Sequence, residues 1–405
     1  LVHHLPVTDF VGQSVFAGID WGGAHHQVCL VDDTGRVLTQ KRLRHDVAGF
    51  AALDDLLDIP GIRIAIERGE GLLVEHLQLR GLPVYCVSPK ISARARERYR
   101  LSATKSDTFD AFVLADTLRH EHAHWRSLPV LSAQTAELKA VIRDRERIIW
   151  SQRSVESQLR AILDAYHPAP LHLFSSLDRD ITLDFLADYP TPEKAARVTA
   201  ARMDAFCRRH SYTGRVPADR LVERIAPHLL TASEGTTAGK QFTAELFTAQ
   251  LRLLNQQIRA CDKRIDLLLS THPDAPIFRS FPGIGPVVAA TLIAEMGDDR
   301  THYPEARVLL AEAGLSPVTR ASGRMHQVRF RYACNHRMRH AIDWWAFVST
   351  RETDWAARAY EQSRARGHGK FRALRGVGAR WTRVLWRCWH DNTIYDPGRH
   401  TSTTV

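Results

Sequence analysis

Four acidic residues in the first third of the chain are spaced so that they could act together on a phosphate. Asp20 closes the run VFAGID and Glu67 closes the run GIRIAIE. If these runs are neighbouring strands, about 4.8 Å apart, the two carboxylates could meet at one end of a sheet. Asp107 and Asp110, in KSDTFDAFVLAD, lie three apart at the start of a helix and share one of its faces. Four converging carboxylates repel one another unless cations stand among them. Mg²⁺ (or Mn²⁺) prefers oxygen ligands, relieves the repulsion and polarises a phosphodiester. Each signal also has a plain structural reading. Asp107 and Asp110 fit a helix N-cap and its N3 partner, Asp20 in GIDWGG fits a turn, and Glu70 competes with Glu67. His25 and His26 read as a solvated loop pair. The joint placement of the four acids, more than any one of them, points to a site.

A second group lies in the last third. FPGIGPVVAATLIAEMGD is a Gly-rich turn opening an apolar helix, as in a helix-hairpin-helix. There Gly283 and Gly285 would let backbone N–H groups approach a phosphate without Cβ interference. A tight turn feeding a core helix explains the same residues equally well. Downstream, GLSPVTRASGRMHQVRFR carries Ser322 beside Gly323, and Arg320, Arg324, Arg329 and Arg331 around it. By chemistry alone Ser322 is a turn former, and the arginines are phosphate contacts. Between Arg320 and His390 there are 16 Arg and Lys against 4 acids, and six of the nine Trp. Trp can stack on unpaired bases or fill a core, and most of these six are expected in the core.

The elements that must hold these residues follow from the hydrophobic pattern. VFAGID, HQVCLV and RVLTQKRL read as three meandering strands, FAALDDLLD as a helix, and GIRIAIE as a strand buried on both faces. LLVEHLQLRG reads as a helix closed by Gly81, PVYCVSP as a strand, and about Ile91 to His120 as one long helical stretch. The order β-β-β-α-β-α-β-α predicts a mixed sheet flanked by helices, the arrangement of ribonuclease-H-like domains. Beyond Pro129 the period changes. Positions 138, 141, 145, 148, 152, 155, 159, 162 and 166 step by three and four, with Arg145 and Gln152 as polar exceptions. Phe247, Leu251, Leu254, Ile258, Cys261, Ile265 and Leu268 form a cleaner stripe. Such heptad-like helices predict an antiparallel coiled-coil arm or a dimerisation element, and the stretch 168–237 between them reads as a small helical insertion of no assigned function. The predicted organisation is a ribonuclease-H-like domain over 10–128, a helical arm with its insertion over 129–270, an α-rich domain over 271–392 and a tail over 393–405.

Composition narrows the classes. The 405 residues exclude a miniprotein, and 44% hydrophobic with 25% charged residues excludes wholesale disorder. A net charge of +10 calls for a polyanionic partner. Six well-separated cysteines with no CxxC pair indicate neither a zinc site nor a disulfide framework. No stretch approaches a membrane span and no secretory leader is visible, so a reducing cytoplasm is the expected location, with no membrane partner.

Taken together, GIDWGG, IERGEGLLVEHL, KSDTFDAFVLADTLR, FPGIGPVVAATLIAEMGD and AEAGLSPVTRASG resemble transposases of the IS110 family of insertion sequences, over nearly the whole chain. The resemblance implies a RuvC-like domain whose acidic tetrad falls on Asp20, Glu67, Asp107 and Asp110, and a C-terminal domain whose essential serine falls on Ser322. It departs from the family at Arg68-Gly69-Glu70, where many relatives have Thr-Gly, and at Cys334-Asn335, where Gly-Asn is common.

The implied activity is excision and integration of the element by site-specific recombination. Serine attack would conserve the phosphodiester energy in a phosphoserine that a DNA hydroxyl can later reverse. Metals on the tetrad would activate the serine, so that carboxylates and hydroxyl act on the same phosphorus. The implied partners are double-stranded DNA (element ends and target), a structured guide RNA that pairs with both, and further copies of the chain in a dimer or tetramer. Two rivals remain: a RuvC-like junction nuclease that uses water and only the acids, and a non-catalytic nucleic-acid-binding scaffold.

Overall fold

A computed structural model describes residues 14–99, 106–323 and 325–401. They form two compact units, one running to Val130 and the other beginning at Leu131.

The first unit is built on five strands: β1 (Phe16–Trp21), β2 (His25–Val31), β3 (Val37–Arg44), β4 (Arg63–Ile66) and β5 (Val84–Cys86). The spatial order is β3-β2-β1-β4-β5. β1 pairs antiparallel with β2 and parallel with β4, and β4 pairs parallel with β5. Alternation along β1 assigns its side chains to two faces. Val15, Ala17 and Ile19 join Ile64 and Ile66 in a core closed by α1 (Val47–Leu57) and α2 (Leu72–Leu79). Phe16 joins Ala65, Ala111, Leu114 and Leu118 in the core of the other face, closed by α4 (Asp107–Glu121), which follows α3 (Pro89–Glu97). Gly18 on that second face is required, because a Cβ there would lie 2.0 Å from the Ala111 carbonyl oxygen. The bare backbone lets α4 lie directly across β1.

The single helical stretch expected from about Ile91 to His120 is instead two helices, and 100–105 lie outside the described residues. The second helix has its own start. Ser106 caps it, accepting from the Phe109 N–H at 3.2 Å.

In the second unit, α5 (Ala133–Tyr166) and α11 (Glu234–Thr271) run antiparallel along each other. Gln134 reaches the Leu268 carbonyl at 3.1 Å, Arg145 reaches Asp262 at 2.6 Å and Gln152 reaches Asn255 at 2.6 Å. The two polar breaks in the apolar pattern of α5, Arg145 and Gln152, therefore find their partners on α11 across the seam. Between them α6 (Pro170–Leu173), α7 (Asp180–Asp188), α8 (Pro192–Ala195), α9 (Ala200–Arg209) and α10 (Ala218–Ile225) pack around Phe185, Met203 and Phe206 as a small helical insertion.

The chain continues through α12 (Ala275–Arg279), α13 (Pro286–Met296), α14 (Ala306–Glu312), a two-stranded ribbon of β6 (Val318–Ser322) and β7 (Met325–Arg329), then α15 (His336–Glu352), α16 (Asp354–Ala365) and α17 (Lys370–His390). Leu138 and Ile142 of α5 and Ile265 and Leu268 of α11 share one core with α13, α15 and α17. The segments expected as separate regions over 129–270 and 271–392 thus have a common hydrophobic centre. Trp345, Trp381 and Trp389 are fully buried in it, and each indole N–H has an acceptor: the Pro282 carbonyl at 2.9 Å, Ser349 Oγ at 2.8 Å and Asp274 Oδ2 at 2.8 Å. Trp344 alone of the six C-terminal Trp is exposed. All six cysteines are free, and no described helix is long and apolar enough to cross a membrane.

Candidate active site

The last paired residues of β1 and β4 are Ile19 and Ile66, so Asp20 and Glu67 are the next residue on each chain. Asp20 is two beyond Gly18 and Glu67 two beyond Ala65, which places both on the face covered by α4. Glu70, the competing acid, is exposed and immediately precedes the Gly71 cap of α2. Asp107 and Asp110 stand in the first turn of α4, where a helix N-terminus favours negative charge. They are not the cap and its N3 partner: the cap is Ser106, which leaves Asp107 at N1 and Asp110 at N4. Asp107 is exposed and Asp110 is buried at 4% exposure.

The link among these acids is a residue that nothing in the sequence singled out. Arg96 of α3 places Nε 2.7 Å from Asp110 Oδ1 and Nη2 3.3 Å from Glu67 Oε1. One turn earlier on α3, the Ser92 hydroxyl donates to the same Glu67 oxygen. KISARARER contains three arginines, and only packing distinguishes the one that turns inward. Asp116, further along α4 and also buried, is held by Arg119 at 2.7 Å and by the Tyr99 hydroxyl. Among the described residues no three His, Cys, Asp or Glu side chains are close enough together to hold a metal ion. Among the described residues, the Arg96 guanidinium stands between Glu67 and Asp110.

The histidine pair is not the solvated loop expected. His25 and His26 begin β2, and His26 is buried at 1% exposure with its Nε2 2.8 Å from His45 Nδ1. Burial first, then the neighbouring His45 and His25, hold its pKa down at about 4. His26 stands opposite Trp21, one position beyond Asp20, and so faces away from the acids.

In the second unit Ser322 ends β6, pairing with Met325 across a two-residue turn. Gly323 in that turn has φ +55°, a conformation that suits glycine. Arg324 lies outside the described residues. Directly opposed residues share a face of an antiparallel pair. Val318↔Arg329, Arg320↔Gln327 and Ser322↔Met325 therefore put Ser322, Arg320 and Arg329 on one side of the ribbon. From Thr319 to Ser322 and along all of β7 the ribbon is exposed. Its base is pinned instead. Arg331 Nε donates to the Ser316 carbonyl at 3.1 Å, and Phe330 has the guanidinium of Arg339 4.5 Å and that of Arg375 4.6 Å from its ring centroid. Arg331, expected as a phosphate contact, is thus engaged in holding the ribbon. Asn335, at the Cys334-Asn335 departure, caps α15 through the Met338 N–H at 3.1 Å and donates to Glu295 Oε2 at 2.9 Å.

Gly283 and Gly285 divide the two readings of their turn. Gly283, at φ +78°, packs on α15, and a Cβ there would stand 3.1 Å from the Ser349 nitrogen. This glycine serves the turn and the core. Gly285 is the exposed N-cap of α13.

Known proteins carry the same two blocks. A transposase family model of the DEDD type from IS110 elements matches residues 17–168, and one described as the transposase IS116/IS110/IS902 family matches 275–362. The mini-circle transposase assigned to IS117 in Streptomyces coelicolor is 36% identical over 95% of this chain and 96% of its own length. The chain belongs to the IS110 family of insertion-sequence transposases. This transposase is also 27% identical to the 42 kDa protein of the insertion element IS900 from Mycobacterium paratuberculosis, over 97% of this chain and the whole of that protein. It is 26% identical to the 43.6 kDa protein of IS110 from S. coelicolor, over 96% of each. The first matched block contains Asp20, Glu67, Asp107 and Asp110, and the second contains Gly283, Gly285 and Ser322.

Proposed function

We propose that this transposase excises and integrates its element by serine-mediated transesterification of DNA, with a RuvC-like acidic unit as its metal site. The observation that carries the reading is the position of Ser322, at the exposed tip of a ribbon with Arg320 and Arg329 on the same face. An isolated two-stranded ribbon is marginal in water. Here a clamped base holds out a hydroxyl and two cations that nothing in the core uses. Phosphates would neutralise those cations and lie beside the hydroxyl.

In the reaction the Ser322 Oγ–P bond forms as a P–O bond of the DNA breaks, and the serine proton ends on the released DNA hydroxyl. One phosphoester replaces another, so attack by a second DNA hydroxyl restores the duplex and frees the serine without ATP. Asp20, Glu67, Asp107 and Asp110 would hold the metal. Their oxygen-only donors suit Mg²⁺ or Mn²⁺, and the Arg96 guanidinium among them indicates a pocket that favours positive charge. A bound ion would stabilise charge on the phosphate oxygens. The ribonuclease-H-like strand order supports the RuvC-like reading, and the turn before α13 supports a helix-hairpin-helix in which Gly285 faces the backbone of nucleic acid. The paired helices α5 and α11 are read as a coiled-coil arm that joins copies into a dimer or tetramer. A structured RNA from the element, as the family likeness implies, would choose donor and target by base pairing.

The test mixes purified protein, RNA transcribed from the element's flanks, Mg²⁺ and donor DNA, and resolves the products on a denaturing gel. A protein–DNA adduct that disappears in Ser322→Ala supports the reading. Nicks that persist unchanged in Ser322→Ala support a water-using junction nuclease. Neither adduct nor nicks in the wild type, with nucleic-acid binding unaltered in Asp20→Ala, supports a non-catalytic scaffold.

A further inference from the structure

Arg96 occupies the ground that a divalent cation would need. Its guanidinium spans Glu67, at the end of β4, and Asp110, in the first turn of α4. The Asp110 carboxylate is buried at 4% exposure, and a buried carboxylate is costly unless a positive charge stands against it. Arg96 meets that need without metal.

The helix that carries Arg96 is lightly held. Of the nine residues of α3, only Ser92 and Ala95 are buried, and Ser92 spends its hydroxyl on Glu67. Arg96 and Ser92 are four apart and so lie on one face, directed at the carboxylates. Lys90 and Arg94, by contrast, are exposed. A helix with so little apolar burial opens at low cost compared with the core strands beneath it.

We propose that Arg96 is a built-in counter-ion that competes with the divalent cation for Glu67 and Asp110, keeping the acidic site metal-free until α3 shifts. This rests on the reading of those acids as a metal site. In the closed form Arg96 offsets part of the negative charge of Glu67 and Asp110, so a divalent ion is gathered less readily to activate water. Stray hydrolysis of DNA is thereby suppressed, and metal loading becomes a step the protein can control.

The experiment is Mn²⁺ binding to the full-length protein without nucleic acid, followed by the electron paramagnetic resonance signal of free Mn²⁺. Arg96→Gln is expected to tighten binding by roughly tenfold or more, the order of one lost competing ion pair. Arg96→Lys keeps the charge but loses the two-pronged fork, and should fall between wild type and Arg96→Gln. It also serves if Arg96→Gln fails to fold. Added Asp20→Asn should remove the gain. Unchanged or weaker Mn²⁺ binding in the folded Arg96 variants, with binding still dependent on Asp20, overturns the counter-ion role and leaves the metal site standing. Absence of Asp20-dependent binding in wild type and variants alike overturns both.

Discussion

Arg96 Nε lies 2.7 Å from Asp110 Oδ1, a contact between a half-buried guanidinium and a carboxylate that is 4% exposed. Removing one member of a buried pair leaves the other charge without compensation, typically at a cost of about 3–5 kcal/mol. Asp107, one turn earlier and exposed, has no such burden. Asp110→Ala should therefore lower the denaturation midpoint of the first unit markedly, while Asp107→Ala should shift stability by less than about 0.5 kcal/mol. Recombination should be lost in both. Chemical denaturation followed by Trp fluorescence, alongside the adduct assay, separates the structural share of Asp110 from the chemical one. Equal stability losses would refute the assignment.

Ser322 stands clear of any core at the ribbon tip. Ser322→Ala should leave thermal stability within about 0.5 kcal/mol of wild type and DNA affinity nearly unchanged, yet remove the covalent adduct. A stability loss of several kcal/mol would mean that the hydroxyl supports the ribbon instead.

The exposed side of α17 carries Arg372, Arg380, Arg383 and Arg387, with Gly376 in the same row. These positions fall on one helical stripe, while the opposite side buries Leu374, Val377, Trp381 and Leu385. α17 contains no acidic residue. Such a row suits a phosphate backbone more than bases. Changing Arg372, Arg380 and Arg383 to Gln together should weaken DNA binding at every sequence and lower the slope of log K against log salt by roughly one per lost contact. An unchanged slope would remove α17 from the interface.

Gly283 is required by conformation as well as by packing. At φ +78° and with the Ser349 nitrogen 3.1 Å from the position of a Cβ, Gly283→Ala should destabilise the second unit by about 1–3 kcal/mol. Gly285→Ala, in open space at φ −80°, should cost much less. Paired melting curves decide the matter.

His167 ends α5 with its Nε2 3.1 Å from the Tyr189 carbonyl oxygen, fully buried. Burial, only partly offset by that hydrogen bond and by Glu193, holds its pKa at about 4 against an ordinary 6.5. The folded form thus resists protonation that the unfolded chain accepts. Stability from His167 is complete above pH 6.5 and is lost as pH falls through about 4. The wild type should lose on the order of 3 kcal/mol across that window from this group. His167→Gln should show a shallower dependence in pH-resolved melts; the same slope in both proteins would rule His167 out.

Much of the first unit is legible in the sequence. Local alternation put Phe16, Gly18 and Asp20 on one side of a strand, and the strand order brought Glu67 next to Asp20. The apolar steps of α5 and α11 were equally plain, as was the burial of most C-terminal Trp. These are periodic properties, set by the rise and turn of a single element and so written in neighbouring residues.

Contacts between elements are different, because they depend on which side chains meet after packing. Nothing in KISARARER distinguishes Arg96 from Arg94, yet one neutralises Asp110 and the other faces solvent. Nothing in the local pattern shows that Arg145 and Gln152 answer Asp262 and Asn255, that His26 is buried against His45, or that Arg331 braces the ribbon where a phosphate contact was expected. The chain's own periodicity laid out the strands, the helices and the row of acids. The partners of those acids, and which cation stands among them, arose only when α3 and α4 closed over one end of the sheet, because a charge acquires its neighbours through space and not along the backbone.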